Sequence, residues 1–359
     1  MSLDYTLRLQ KIEAVLRNAL PRHPDTAWFK RNFFAGGFNF TETDSIESLL
    51  EPGLDLLERG GKRWRPLLML LICESLGGGE SALPLAPLVE FCHNASLIHD
   101  DIEDKADERR GKPAIHLLYG MDTAINSGCF LYFLPLSCID GWNAPQETKL
   151  KLYSLWAREM RALHFGQSLD IAWHRDPQAL PAINDYYKMC ALKTGVLARF
   201  AASVGYLAAA ENCSGDAPFA KAAEKLGIGF QILDDVKNLT EGAPGKKRGD
   251  DVVEGKKSLP ILLYLHGESE KYERRRLVLR CFNTAASGGD EADAAVDELT
   301  AALNKAGCID EAAARGIALL AEAEAAFSAA VSAGGENNEA CELLAGFTRL
   351  IGGEPKPLT

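Results

Sequence analysis

Two short acidic runs hold the residues whose types and spacing could do chemistry. The first is His93-Asn94-Ala95-Ser96-Leu97-Ile98-His99-Asp100-Asp101-Ile102-Glu103-Asp104. At helical spacing, Leu88, Phe91, Cys92, Ala95, Ile98 and Ile102 form one apolar stripe. His93, Ser96, Asp100, Asp101 and Asp104 fall on the other side. Asp100 and Asp104 lie one turn apart with Asp101 beside them, so three carboxylates share one small region. Such crowding is unfavourable without a cation, and oxygen-only donors favour magnesium over zinc. The second run, Asp234-Asp235-Val236-Lys237-Asn238, repeats the spacing with an amide in place of the third carboxylate.

Basic groups are interleaved with the acidic ones. Lys62-Arg63-Trp64-Arg65 follows Gly60-Gly61 and precedes the apolar run Leu67–Ile72, so these cations are anchored at the start of a buried helix. Arg109-Arg110-Gly111-Lys112 follows the first acidic run, and Gly245-Lys246-Lys247-Arg248 with Lys256-Lys257 follows the second. Arginine forks suit phosphate oxygens and lysine adds a point charge. Lys193-Thr194 interrupts an otherwise apolar stretch, where a buried ammonium needs an anion. A metal-bridged polyphosphate uses both kinds of group: metal on some oxygens, Lys and Arg on others. Two facing carboxylate clusters would hold a diphosphate as a leaving group, and a second basic cluster could hold a second diphosphate. An apolar interior would shelter a reactive carbocation from water. The pattern predicts ionisation of a prenyl diphosphate followed by carbon–carbon bond formation.

The elements that must position these groups read as helices throughout. Helical periodicity covers 4–20, 46–57, the His93–Asp104 run, 124–136, 150–173, 186–209, 217–240, 259–266, 269–284, 290–305, 309–332 and 336–351. Trp28–Phe34 reads as a short helix or turn. No alternation of β-branched residues suggests a strand. The 359 residues read as one all-α domain spanning 1–359, with no linker between parts. The net charge of −11 argues against nonspecific nucleic-acid binding. Nine cysteines without a Cys-x-x-Cys pair suggest reduced thiols and a cytoplasmic setting. No signal peptide is expected, and the most apolar run, Cys129–Cys138, is too short to span a bilayer.

From Gly61 to Pro260 these motifs resemble the trans-isoprenyl diphosphate synthase (polyprenyl synthetase) family. The resemblance implies an isoprenoid-synthase-type bundle of many helices around a deep central cavity, usually a homodimer. It implies that Asp100, Asp101 and Asp104, with Asp234, Asp235 and the outer ligand Asn238, bind three magnesium ions on the allylic diphosphate. Arg109, Lys193, Lys246, Lys247 and Lys256 would contact that diphosphate. Lys62, Arg65, His93 and Arg110 match positions that bind isopentenyl diphosphate. Thr194 and Gln231, with the Lys193 backbone, would stabilise the allylic cation.

The motif run, Ala124-Ile125-Asn126-Ser127-Gly128 and Gly166-Gln167-Ser168-Leu169-Asp170-Ile171 are most similar to eukaryotic-type geranylgeranyl diphosphate synthases. The absence of an insertion in the first Asp motif and of an aromatic at Ala95 or Ser96 argues against a bacterial farnesyl-type product. The expected product is C20, with a farnesyl or longer-chain synthase as the alternative. In the resembled subgroup the floor of the chain pocket corresponds to Tyr132, Phe133 and His164. A terpene cyclase would have no use for Lys62, Arg65 and His93. A non-catalytic subunit would be expected to have lost aspartates that are all present.

Overall fold

The computed structural model describes residues 3–33, 44–209, 217–242, 248–334 and 338–352. Lys246 and Lys247 lie outside them. In chain order the helices are α1 (Leu3–Ala19), α2 (Thr26–Asn32), α3 (Asp44–Glu58), α4 (Trp64–Ser75), α5 (Ala86–Glu103), α6 (Ile115–Tyr119), α7 (Met121–Phe133) and α8 (Leu136–Gly141). There follow α9 (Gln146–Arg175), α10 (Ile183–Cys190), α11 (Val196–Ala209), α12 (Ala217–Thr240), α13 (Asp250–Val253) and α14 (Leu259–His266). The chain continues with α15 (Lys271–Ala285), α16 (Asp290–Lys305), α17 (Cys308–Gly334), α18 (Asn338–Ala345) and α19 (Phe347–Gly352). The fold is all-α, as the periodicity predicts.

Three departures have local causes. Pro135 has no amide hydrogen to continue a ladder, so the helix expected over 124–136 ends at Phe133 and a new one starts at Leu136. The stretch expected as one helix over 186–209 is interrupted by a π turn at Ala191–Gly195. A two-residue hairpin pairs β1 (Glu108–Arg109) with β2 (Lys112–Pro113), where no strand was expected. Arg110 and Gly111 form its turn with φ of 54° and 74°, the left-handed pair that tight hairpins favour. Alternation cannot announce a ribbon this short.

The contacts divide into two compact units: residues 1–157, 200–216 and 330–344 form one, and 158–199, 217–329 and 345–359 the other. In the first unit α4 is buried along its whole length, from Trp64 to Ser75, with the apolar run Leu67–Cys73 between Arg65 and Glu74. The apolar face of α5 is likewise buried, including Leu88, Phe91, Cys92, Ala95 and Ile98. In the second unit α14 contributes Leu259, Ile261 and Leu262 to a core that also takes in Tyr186, Ile232, Phe282 and Leu299. No helix among the described residues is long and apolar enough to cross a membrane.

Candidate active site

In the first unit the functional groups are carried by α5, by the start of α4 and by the β1–β2 hairpin. The carboxylates of α5 sit at its C-terminal end, with Asp104 as the C-cap. This is the negative end of the helix dipole, so clustering there is unfavourable unless cations answer it. The hairpin supplies one: the Arg109 guanidinium donates to Asp101 Oδ1 and lies 3.8 Å from Asp100 Oδ2. Asp101 is fully buried, while Asp100 and Asp104 are half-buried.

The basic groups converge on His93, in the middle of α5. Arg65 Nη1 lies 3.2 Å from His93 Nε2. A guanidinium only donates, so Nε2 accepts and the ring proton sits on Nδ1. Burial, reinforced by Arg65 and then Arg110, holds the imidazole well below its usual range, so it is neutral at physiological pH. Burial also lowers Arg65 and Arg110 to about 10 each, still charged near neutrality. Arg110 is turned back by the hairpin so that Nη1 donates to the carbonyls of Leu56 and Gly60 at the end of α3. Lys62 is exposed beside this cluster. The four residues expected at one diphosphate site thus all sit in this unit, with Arg65, His93 and Arg110 electrostatically coupled.

In the second unit the site is a hydrogen-bonded chain. Thr194 Oγ1 donates to Gln231 Oε1 at 2.7 Å, and Gln231 Nε2 donates to Asp235 Oδ1 at 2.8 Å. The Tyr186 hydroxyl donates to the other oxygen of Asp235 at 2.6 Å. Asp235 is buried and Asp234, its neighbour on α12, is exposed. Burial first, and the nearby Asp251 carboxylate second, push Asp235 up to about 7. Lys193 finds its anion in Asp170, 2.6 Å away. Lys256 pairs with Glu254 at 2.5 Å.

Asn238 has a structural contact that its motif position does not announce. Its Oδ1 accepts the backbone N–H of Asp251 at 3.2 Å, and its carbonyl accepts that of Gly249 at 2.9 Å. It ties the start of α13 back to α12. Sequence reasoning missed Asp251 and Tyr186, which approach Asp235 only through the tertiary fold; the signal for Asp251 was an acidic pair straight after a basic loop.

Of the expected chain-length residues, Ala95 is buried and Ser96 half-buried, both on α5. Tyr132 is buried with its ring parallel to His99, centroids 5.8 Å apart. Phe133 is 60 % exposed and packs on Trp156. His164 is exposed, its Nδ1 2.8 Å from the Met160 carbonyl. Within a single chain, therefore, only Tyr132 of the expected floor is enclosed.

Among the described residues no three His, Cys, Asp or Glu side chains are already gathered as ligands of one metal ion. The donor chemistry nonetheless fits a hard cation. The groups are carboxylates only, placed at a helix C-terminus in one unit and beside a repelled, buried carboxylate in the other.

The polyprenyl synthetase family model matches residues 46–299. The chain belongs to this family. The match takes in both acidic runs, all the basic groups of the site and parts of both compact units. A family relative, the geranylgeranyl diphosphate synthase of Methanosarcina mazei, is 34 % identical over 219 residues, covering 60 % of this chain and 67 % of its own. The geranylgeranyl pyrophosphate synthase of Eremothecium gossypii is 36 % identical over 230 residues, covering 61 % and 70 %. The family likeness thus extends to a eukaryotic enzyme, as the motif runs anticipate. Among solved structures, the geranylgeranyl pyrophosphate synthetase of Pyrococcus horikoshii superposes with a TM-score of 0.81 at 26 % identity, covering 98 % of both chains.

Proposed function

We propose that this chain joins isopentenyl diphosphate to an allylic diphosphate by ionisation, condensation and elimination, with geranylgeranyl diphosphate as the product. The observation that carries the reading is the layout of α5. His93, coupled to Arg65 and Arg110, marks a direct anion site; Asp100–Asp104 mark a metal-mediated one. The seven-residue step from His93 to Asp100 puts the two about 10 Å apart along the helix axis. One short span of helix therefore serves two polyanions by two different means. A cyclase has one diphosphate to hold and no use for the first site.

The reaction breaks the C1–O bond of the allylic diphosphate. The double-bond electrons of isopentenyl diphosphate then form the new bond to C1, and the released diphosphate takes the proton lost from C2. Lys62, Arg65, His93 and Arg110 hold isopentenyl diphosphate. Arg109, Lys193 and Lys256, with Lys246 and Lys247, orient the allylic diphosphate. Thr194 and Gln231, held by Asp235, present oxygen atoms toward the developing cation. Asp100, Asp101, Asp104, Asp234 and Asp235 are assigned to magnesium, and Asn238 to an outer position. Magnesium, when bound, neutralises the leaving diphosphate.

Several further properties belong to the same reading. A homodimer is favoured by the exposed stripe Met121, Ile125 and Phe133 on α7, beside exposed Leu117 and Leu118. The chain acts as one catalytic domain. A cytoplasmic setting is favoured by the free thiols of all the described cysteines. The test is incubation of the purified chain with isopentenyl diphosphate and each allylic primer in turn, with magnesium and with a chelator. Mass spectrometry of the dephosphorylated products should find the C20 alcohol only with magnesium. Turnover of an allylic diphosphate without isopentenyl diphosphate would favour a cyclase instead.

A further inference from the structure

Arg63 stands between Lys62 and Arg65 in sequence, yet it has a different environment from both. It is 4 % exposed and its backbone is left-handed, φ 46°, which is rare for a side chain of this size. Its guanidinium is consumed by protein groups. Nε donates to Glu13 Oε1 at 2.7 Å, Nη1 to Glu90 Oε1 at 3.0 Å and to the Gly60 carbonyl at 3.2 Å, and Nη2 to the Leu57 carbonyl at 2.6 Å. Those acceptors come from α1, from α5 and from the end of α3. Gly61, at φ 146°, lies against both guanidiniums: a Cβ there would meet Arg63 Nη1 at 3.0 Å and Arg110 Nη2 at 3.2 Å. Arg63 is thus the pin that fixes the short turn carrying Lys62 and Arg65, and it abuts Arg110. Glu90 is the buried counter-charge behind the cluster, favouring the charged forms of Arg65 and Arg110.

The contact with Glu13 reaches outside the family match, which begins at residue 46; Glu13 lies on α1, well before it. We propose that Arg63 is a positioning residue for the isopentenyl diphosphate site, and that α1, through Glu13, sets how tightly that site binds. This rests on the functional reading above. Neither residue touches substrate. Arg63 has its donors directed to protein acceptors, and its left-handed backbone is held by those bonds. Releasing Glu13 lets the turn relax, so Lys62 and Arg65 no longer meet the diphosphate at fixed spacing. Binding of a doubly charged group by several donors depends on that preorganisation.

The test is steady-state kinetics of the full chain carrying Glu13→Ala or Arg63→Lys. Glu13→Ala should raise the KM for isopentenyl diphosphate about fivefold, the worth of a part-exposed hydrogen bond to a charged group. The KM for the allylic primer and kcat should stay within about twofold. Arg63→Lys should have the larger effect in the same direction, because an ammonium cannot reach four separated acceptors at once. If Arg63→Lys does not fold, Glu13→Ala decides alone. An unchanged KM for isopentenyl diphosphate, or an equal rise for both substrates, would reduce the pin to ordinary packing and overturn the inference. A wild-type chain that does not consume isopentenyl diphosphate would overturn the functional reading and this inference together.

Discussion

Lys193 Nζ lies 2.6 Å from Asp170 Oδ2, a contact made possible by an unusually close approach of backbones one turn away. Gly166, on α9, presses against the π turn: a Cβ on it would come within 2.5 Å of both the Leu192 carbonyl carbon and the Lys193 nitrogen. Only a residue without a side chain lets α9 and that turn meet. The ion pair is therefore set by a steric contact as much as by charge.

Gly166→Ala forces backbone, not a flexible side-chain tip, to give way. It should destabilise the protein by about 1–3 kcal/mol, the usual cost of overpacking, and lower turnover of the allylic substrate that Lys193 is proposed to contact. Thermal melts with kinetics check this; an unchanged melting temperature would contradict the close contact.

Substrate order provides a second expectation. Lys62→Ala and Arg65→Ala should each raise the KM for isopentenyl diphosphate at least about tenfold, the loss of roughly one charge-assisted bond. The allylic KM should move far less. Arg109→Ala should do the reverse, since it also releases the buried Asp101. Equal effects on both substrates would merge the two sites into one.

The stability of the second unit should respond to Lys257. It is buried, with its Nζ 4.6 Å from the Phe282 ring centroid and bonded to the Gly255 carbonyl, and burial lowers it from 10.5 to about 8. A lysine depressed in the native state costs stability while protonated in both states, below about pH 8. Between there and 10.5 the native chain binds fewer protons than the unfolded one, so stability rises with pH and the cost fades. Lys257→Met should stabilise by on the order of 1–2 kcal/mol near neutrality, and the gain should vanish in melts above the upper limit of that window. A gain that does not change with pH would point to packing instead.

Much of this was legible beforehand. Helices with strong periodicity, such as α12 and α14, fall where the apolar spacing puts them, and the paired aspartates with interleaved cations stand out in the sequence as candidate anion sites. What sequence could not supply were features set by tertiary contact. Arg63 reads as one more solvated or phosphate-binding cation until Glu13 and Glu90, distant in sequence, are seen around it. The bond from the Asp251 amide to the Asn238 side chain likewise joins residues that the motif spacing does not connect. The 60 % exposure of Phe133 is also set by packing, because a helical period alone does not say which apolar face looks inward.

Product length tests that last point. Tyr132 is enclosed and stacked on His99, so Tyr132→Ala opens space next to α5 and should lengthen the product beyond C20 at retained rate. Ala95→Phe, one turn before the aspartates, should shorten it toward C15. Mass spectra unchanged for an active, folded Tyr132→Ala variant would remove Tyr132 from the floor.

The π turn at Ala191–Gly195 has a consequence for anyone who edits or aligns this chain. Such a turn is an α-helix that has accommodated one additional residue. Excising a single residue there would leave an unbroken α-helix whose flanking segments keep their faces, so the whole change of direction falls on the residues of the turn itself. Lys193 and Thr194 would then lose Asp170 and Gln231 although every side chain of the site was still encoded. For this stretch the length of the chain is itself a functional trait, and an alignment gap of one is a larger change than most substitutions.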